Sequence, residues 1–374
     1  MRILILSDVS GFMPGGVPAE TRELIGGLAR YGYELAFAGD IFVTDAQLAC
    51  HFPITIPIGP SFSRQVAATL AEFQPDFVHV ICMSSRGVLW LAPLLRAHRW
   101  ALTVHSVSPY EHKLRLFHRH EGLHYALRSL RSLPKSLAWR WVLTSGKVPR
   151  MIVHSDFVAE VVERYGFPVR LVELVPLPFL PRPLQRGPQA PPRDGGLQLT
   201  TVGGLAHTKG QHDVIKAMPE LARRFPRLRY QLIGEIRDDS YLRWLKRLAM
   251  RLGVADRLLF SFDLDQAAIA EALRRTDVYV QPSHEEGFCL SYAEAAALVP
   301  RLVGTRTGAI VAMSRDDPGA RVVPVRDPRA LADAIGALIS VNLPPGHMSD
   351  RADRLSHRFS YDAYVRAHEA IYAK

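Results

Sequence analysis

The segment Pro282-Ser283-His284-Glu285-Glu286-Gly287-Phe288-Cys289-Leu290-Ser291-Tyr292-Ala293-Glu294-Ala295-Ala296-Ala297 joins two patterns. Val278–Val280, just before it, reads as a short buried strand, and the small residues after Phe288 read as a helix. A strand that turns through a loop into a helix is the repeating unit of a parallel α/β sheet. Gly287 lets the backbone come close to a ligand. The amides of Phe288, Cys289 and Leu290 are then orphan donors at a helix start. Glu286 falls in the loop, and Glu294 two turns into the helix. Taken singly, Glu286 is a first-turn acid that suits the helix dipole, and Glu294 is a solvated helix residue.

The same rhythm fills the second half of the chain. Leu197–Val202, Tyr230–Ile233, Leu258–Phe262 and Arg301–Val303 read as further strands. Asp213–Arg224, Tyr241–Leu252, Ala267–Arg275 and Asp327–Ile339 read as helices, the last with Pro328 at its start. Between the first strand and helix lies Gly203-Gly204-Leu205-Ala206-His207-Thr208-Lys209-Gly210. It is not a Walker A loop, because its last glycine follows the lysine. Its helix-start amides suit an anion, and Lys209 is a cation where the dipole disfavours one. It is either an exposed turn lysine or a phosphate partner. Asp263-Leu264-Asp265 matches a metal-binding D-x-D, yet Asp265 stands where a helix N-cap belongs.

The first half alternates in the same way. Arg2–Ser7, Glu34–Ala38, Phe77–Cys82, Leu102–His105 and Met151–His154 read as strands. Gly11, Gly15 and Gly16 mark a loop before a helix at Ala19–Tyr31. Six prolines between Pro178 and Gly196, closed by Gly195-Gly196, break the periodicity and read as a linker. The expected division is a domain over 1–178, a linker over 179–196, a second domain over 197–355, and a C-terminal helix over 356–374 that crosses back to the first domain. Ligands of two such domains sit outside the carboxyl ends of the strands.

At 374 residues, two domains are the natural expectation. Charged residues at 22% and apolar ones at 48% fit a folded chain with a normal core and exclude wholesale disorder. Cys50, Cys82 and Cys289 are odd in number and far apart, which excludes a disulfide framework and suits a reducing compartment. The opening apolar stretch is too short for a signal peptide, and no run reaches a membrane-spanning length. A cytoplasmic protein is expected, or one lying on the inner face of the membrane. His112–Arg150 carries nine Lys or Arg against Glu121, a net +8 of the chain's +10. Leu123, Leu127, Leu130 and Leu137 share one helical side there, while His124, Arg128, Arg131 and Lys135 share another. Trp139 and Trp141 follow, and Pro134 is expected to kink or split the helix. This block reads as an anionic-membrane surface, as a helix packed on its own domain, or as a site for an anionic soluble acceptor. His79, His112, His118, His120 and His124 lack the spacing of a metal site, and so does every other His, Asp and Glu cluster.

Glu286-x7-Glu294 within Glu-Gly-Phe-x-Leu, together with Val202-Gly203-x-Leu205-x3-Lys209-Gly210, resembles the family-4 retaining glycosyltransferases of the GT-B fold. The resemblance extends over nearly the whole chain. Gly15-Gly16 looks like the family's glycine loop, Pro75-Asp76-Phe77-Val78-His79 like its P-D strand, and Thr103-Val104-His105 like its T-x-H strand end. Ser155 matches the serine after the last strand of the N-terminal domain, and Arg358-Phe359-Ser360-Tyr361 looks like the family's R-F-S-W tail. The resemblance implies two Rossmann-like domains facing each other across a cleft. It implies that Glu286 bonds donor-sugar hydroxyls, Glu294 the ribose, Lys209 the diphosphate, and His105 the sugar from the facing domain. It places the remaining contacts at Gly15, Gly16, Gly203, Gly204, Phe288, Cys289 and Leu290.

Three positions depart from the pattern. Gly204 replaces an arginine, so an arginine fork on the diphosphate is missing, and Gly204→Arg is expected to tighten binding unless another residue, Arg306 or Arg237, already fills that role. Cys289 replaces a glycine, and Ala312 a glutamate. The implied activity is metal-free hexosyl transfer, with retention, from a nucleotide-sugar to a sugar or lipid-linked acceptor in polysaccharide or glycolipid synthesis. No cofactor and no nucleic acid enter. A catalytically weak sugar-nucleotide-binding subunit is the alternative, and a sugar-nucleotide epimerase fits the two glutamates poorly.

Overall fold

The computed structural model describes residues 1–7, 16–39, 48–53, 60–81, 85–105, 133–179 and 196–374. The chain divides into two compact units, Met1–Leu177 with Tyr361–Lys374, and Pro178–Ser360. The first unit contains strands β1 (Arg2–Ser7), β2 (Glu34–Gly39), β3 (Cys50–Pro53), β4 (Phe77–Ile81), β5 (Trp100–Val104), β6 (Met151–Val153) and β7 (Val172–Leu174). Its helices are α1 (Gly16–Arg30), α2 (Pro60–Phe73), α3 (Ser85–Leu94), α4 (Leu133–Thr144) and α5 (Asp156–Arg164). The second unit contains β8 (Gln198–Val202), β9 (Arg229–Ile233), β10 (Leu258–Ser261), β11 (Val278–Gln281), β12 (Arg301–Thr305) and β13 (Ala320–Val323). Its helices are α6 (Gln211–Arg224), α7 (Asp239–Arg251), α8 (Gln266–Arg274), α9 (Leu290–Ala296), α10 (Ile310–Met313), α11 (Pro328–Ile339) and α12 (His347–Arg358). The last helix, α13 (Tyr361–Ala373), belongs to the first unit.

Both sheets are parallel, ordered β3-β2-β1-β4-β5-β6-β7 and β10-β9-β8-β11-β12-β13. In each, the order reverses beside the first strand of the unit, between β1 and β4 and between β8 and β11. That is the doubly wound arrangement, whose ligands sit at the carboxyl ends where the order reverses. Near-continuous apolar strands explain it, since a parallel sheet is covered by helices on both faces. Ile3, Leu4, Ile5 and Leu6 are fully buried, as are Val278, Tyr279 and Val280. Separate apolar cores form around Leu4, Val80 and Leu102 and around Leu199, Leu232 and Val280.

Several local expectations need correction. Met151–Val153 does not end the first sheet; β7 pairs beyond it, and Ser155 caps α5 by accepting from Val158 N at 3.3 Å. Pro134 stands in the first turn of α4, where a missing N–H costs nothing. Trp139 packs against the core while Leu137 and Trp141 are exposed, so the two tryptophans part company. Residues 106–132, the rest of the basic block with His112, His118, His120 and His124, lie outside the described residues, as do Gly15 and the stretch 180–195. Among the described residues, no helix is long and apolar enough to cross a membrane.

Candidate active site

Lys209 and Glu286 meet at the carboxyl ends of β8 and β11, where the strand order of the second unit reverses. The meeting depends on a glycine. Gly210 has φ +66°, and a Cβ there would lie 2.0 Å from Pro282 O. Without a side chain, the turn His207–Lys209 presses against the loop after β11, and His284 N donates to Thr208 O at 2.8 Å. Lys209 Nζ then reaches Glu286 Oε1 at 2.8 Å. The same oxygen accepts from Ser283 Oγ at 2.6 Å and from Gln281 Nε2 at 3.2 Å. Gln281 is itself held, since its Oε1 accepts from Tyr279 OH at 2.5 Å and from Ser291 Oγ at 3.1 Å. Three donors thus fix Oε1, while among the described residues none reaches Oε2. Behind the carboxylate, Gly308 (φ +53°) leaves room that a Cβ would take, 2.9 Å from Glu286 Cβ.

Burial lowers the Lys209 pKa, but the adjacent Glu286 charge and hydrogen bond outweigh it and hold the ammonium above its ordinary value. The conflict between lysine and helix dipole is therefore met by a carboxylate of the protein. Burial, reinforced by Glu286, pushes the Cys289 thiol well up, so it remains protonated and is no nucleophile. Cys289 adopts φ +88°, a conformation that favours glycine.

Other expected contacts shift. Helix α9 starts at Leu290 rather than near Phe288, and Glu294, half-buried, lies one turn into it rather than two. Phe288 is buried and its ring meets Phe359 edge-on at 5.5 Å, which ties the Arg358-Phe359 tail to this loop. The early amides of α6 turn inward: His212 N donates to Tyr241 OH at 3.3 Å and Asp213 N to Gly210 O at 2.8 Å. They are not offered to an anion. Gly203 and Gly204 follow β8 directly. Asp265 is the N-cap of α8, accepting from Ala268 N at 2.8 Å, so the D-x-D is a cap. Ala312 lies in α10, its carbonyl accepting from Arg358.

His105 follows β5 in the first unit. Its Nε2 meets Glu20 Oε2 at 2.5 Å, and the other Glu20 oxygen meets His154 Nε2 at 2.8 Å. Burial opposes the ionised carboxylate, yet the two histidines hold Glu20 well below the usual range. Burial also opposes a charged His154, but Glu20 raises it above its ordinary value. His154 Nδ1 is bonded to Val175 O at 2.7 Å, and its Nε2 side faces the Glu20 charge. His79 is a core histidine between Tyr372 OH and Thr103 Oγ1.

No cluster showed metal spacing along the sequence, but folding assembles two groups whose ligand atoms lie within 4.8 Å: Glu20, His105 and His154, and His207, His212 and His284. Glu20 lies in α1 while His105 and His154 follow β5 and β6, and His284 follows β11 far from His207 and His212, so local spacing reveals neither group. Hydrogen bonds already engage them. His284 Nδ1 accepts from Arg326 at 3.3 Å, which leaves Nε2 to donate to Asp213 at 2.8 Å, and His212 Nδ1 meets Tyr241 OH at 2.8 Å. Burial lowers the pKa of both His212 and His284, keeping them neutral. This group braces the Lys209 turn. Glu20 and His154 are ordinary polar residues in the sequence until a distant partner arrives, whereas Gln281 and Ser283 sit five and three residues from Glu286 and carry no motif of their own.

Residues 188–356 match the family described as Glycosyl transferases group 1, and residues 14–179 match Glycosyltransferase Family 4. The D-inositol 3-phosphate glycosyltransferase of Xylanimonas cellulosilytica is 33% identical over 133 residues, 36% of this chain and 32% of that protein. The match thus spans about a third of that relative's length. The phosphatidyl-myo-inositol mannosyltransferase of Mycolicibacterium smegmatis is 26% identical over 99% of this chain and 94% of its own. Among solved structures, sucrose-phosphate synthase from Thermosynechococcus elongatus superimposes with a TM-score of 0.76 at 16% identity, covering 100% of this chain and 98% of that one. HepE of Anabaena, in complex with UDP-glucose, gives 0.70 at 16% identity over the full length of both.

Proposed function

The chain belongs to the family-4 glycosyltransferases of the GT-B fold, and from that premise we propose that it moves a sugar, with retention, from a nucleotide-diphosphate sugar to an acceptor hydroxyl. The observation that carries this reading is the Lys209–Glu286 pair at the switch point of the second sheet. As the sugar leaves, the diphosphate gains negative charge, and Lys209 is a fixed, fully protonated cation beside it. Preorganised charge of this kind acts where charge develops in the transition state. Glu286, anchored through Oε1, turns Oε2 towards donor-sugar hydroxyls. Glu294 holds the ribose. The leaving diphosphate takes the acceptor proton, so no side-chain base is needed. In the first unit, Glu20 holds the His105 ring through Nε2 and faces His154 with its other oxygen.

The acceptor class is glycolipid or polysaccharide. Complexes of HepE with UDP and UDP-glucose support a nucleotide-sugar donor, and the mycobacterial mannosyltransferase supports a lipid-linked acceptor. The basic stretch 112–150 serves as the surface that meets an anionic membrane. Helix α4 supports this, with Leu137 and Trp141 exposed and Lys147 Nζ 4.2 Å above the Trp141 ring. A thermal-shift screen with UDP-, GDP-, ADP- and dTDP-sugars tests the donor reading. Ligand at a hundred times its Kd stabilises by about 2.7 kcal/mol, a shift of several degrees for one of the four. No shift with any of them contradicts the reading.

A further inference from the structure

Strands β8 and β9 stay zipped beyond their ends. Gly203 N donates to Ile233 O and Leu205 N to Glu235 O, each at 2.8 Å, and Leu205 bridges Ile236. Gly234 permits the approach, because a Cβ there would lie 2.2 Å from Gly203 O. The next side chain, Arg237, is thereby laid across Gly204. A Cβ at position 204 would meet Arg237 Nε at 2.6 Å and Cδ at 2.8 Å, so the absent side chain is what makes room for the arginine. Glu235 Oε1 orients the guanidinium, accepting from Nε at 2.7 Å and facing Nη2 at 2.5 Å. The group is still 52% exposed. Its charge is felt at Lys209, where it opposes the rise caused by Glu286.

Two cations therefore converge on the carboxyl ends of adjacent strands, each steered by one carboxylate. A compact ammonium beside a planar guanidinium suits a diphosphate, which offers several oxygens to a fork and a point charge together. We propose that Arg237, reaching over the bare backbone of Gly204, is a diphosphate-binding residue of the nucleotide-sugar site. The inference rests on the donor reading above. It also reverses the expectation that an arginine at position 204 improves binding: Gly204→Arg would force two guanidinium groups into one place.

Calorimetry tests this with UDP, GDP, ADP and dTDP, each beside its monophosphate, on the parent, Arg237→Ala, Gly204→Arg and the double variant. Arg237 is exposed, so its removal leaves the melting temperature within a degree or two of the parent's. Losing a charge-assisted contact weakens the diphosphate by about tenfold or more, with little change for the monophosphate. In the double variant the new arginine enters the vacated space and recovers most of the loss, whereas Gly204→Arg alone gives no gain. Undiminished diphosphate binding by Arg237→Ala overturns the proposal, and so does an equal loss for monophosphate and diphosphate. Tighter binding by Gly204→Arg alone overturns it as well. If the parent binds none of the four diphosphates, the donor reading fails first and this inference falls with it.

Discussion

Lys209 and Glu286 neutralise each other, and the distinction between a structural ion pair and a working one lies in what surrounds them. Ser283 and Gln281 supply Glu286 Oε1 with donors that remain if Lys209 is removed, and the Lys209 side chain, 24% exposed, can be hydrated if Glu286 is removed. Lys209→Ala and Glu286→Ala should each retain the melting temperature to within a few degrees. Each should lower turnover at saturating donor by about a hundredfold, the usual cost of removing one preorganised contact to developing charge. Parent-like rates for both would show the pair to be mere packing. Arg351 presents the opposite case. It is fully buried, pairs with Asp317, and donates to Val299 O at 2.7 Å and Pro300 O at 2.9 Å. Arg351→Ala leaves the buried Asp317 charge without its counter-charge and removes the donor to Val299 O, so it should destabilise by about 3–5 kcal/mol in denaturant unfolding. A loss below about 1 kcal/mol would contradict the buried-pair account.

Helix α13 closes the first unit through a patch of rings. His368 lies 4.6 Å from the Tyr364 ring, 5.5 Å from His79 and 6.0 Å from Tyr372. Burial pushes its pKa down from 6.5 to about 4, with His154 adding to the effect and the Tyr364 carbonyl and Glu20 opposing it. The folded state therefore resists a proton that the unfolded chain accepts. The stability is whole above pH 6.5 and drains away as pH falls towards 4, by about 3 kcal/mol in total. Glu20, depressed as well, acts in the same direction, whereas His154, raised by Glu20, loses its contribution as pH climbs past 6.5. Melting curves from pH 7 to 4 should fall more steeply for the parent than for His368→Gln, and parallel curves would refute the assignment. Helix α4 makes a different prediction. Trp141 and Lys147, with Arg128, Arg131 and Lys135 nearby in sequence, should carry the chain onto vesicles containing acidic lipid at low salt, at about 1 kcal/mol per basic residue. Changing Arg128, Arg131 and Lys135 to Glu should leave it in the supernatant, and equal sedimentation of both proteins would end the membrane reading.

The two parallel sheets follow from strands that are apolar on both faces, and such strands are visible in a sequence: Arg2–Ser7 coincides with β1, and most others fall within two residues. Short edge strands escaped, because Cys50–Pro53 and Val172–Leu174 have too few residues to show a period and depend on a neighbour already in place. Amphipathic helices such as Asp156–Arg164 were passed over beside stronger patterns. Within the site, the glycines flanking Lys209 and Glu286 mark them in the sequence, whereas Arg237 is there only one of two arginines that could replace the missing guanidinium. Its place depends on the pairing of Gly203 with Gly234, a contact between strand ends that the linear order hides. What separates an enzyme from a sugar-nucleotide-binding subunit is turnover. The most direct test incubates the purified chain with the nucleotide-sugar that the thermal screen selects, and follows by proton NMR both release of the nucleoside diphosphate and the anomeric configuration of the transferred or hydrolysed sugar. The account predicts catalytic release, many equivalents per chain, with the first-formed sugar keeping the donor's configuration. Tight binding with no release would identify a binding subunit instead, and an inverted first product would contradict the retaining chemistry.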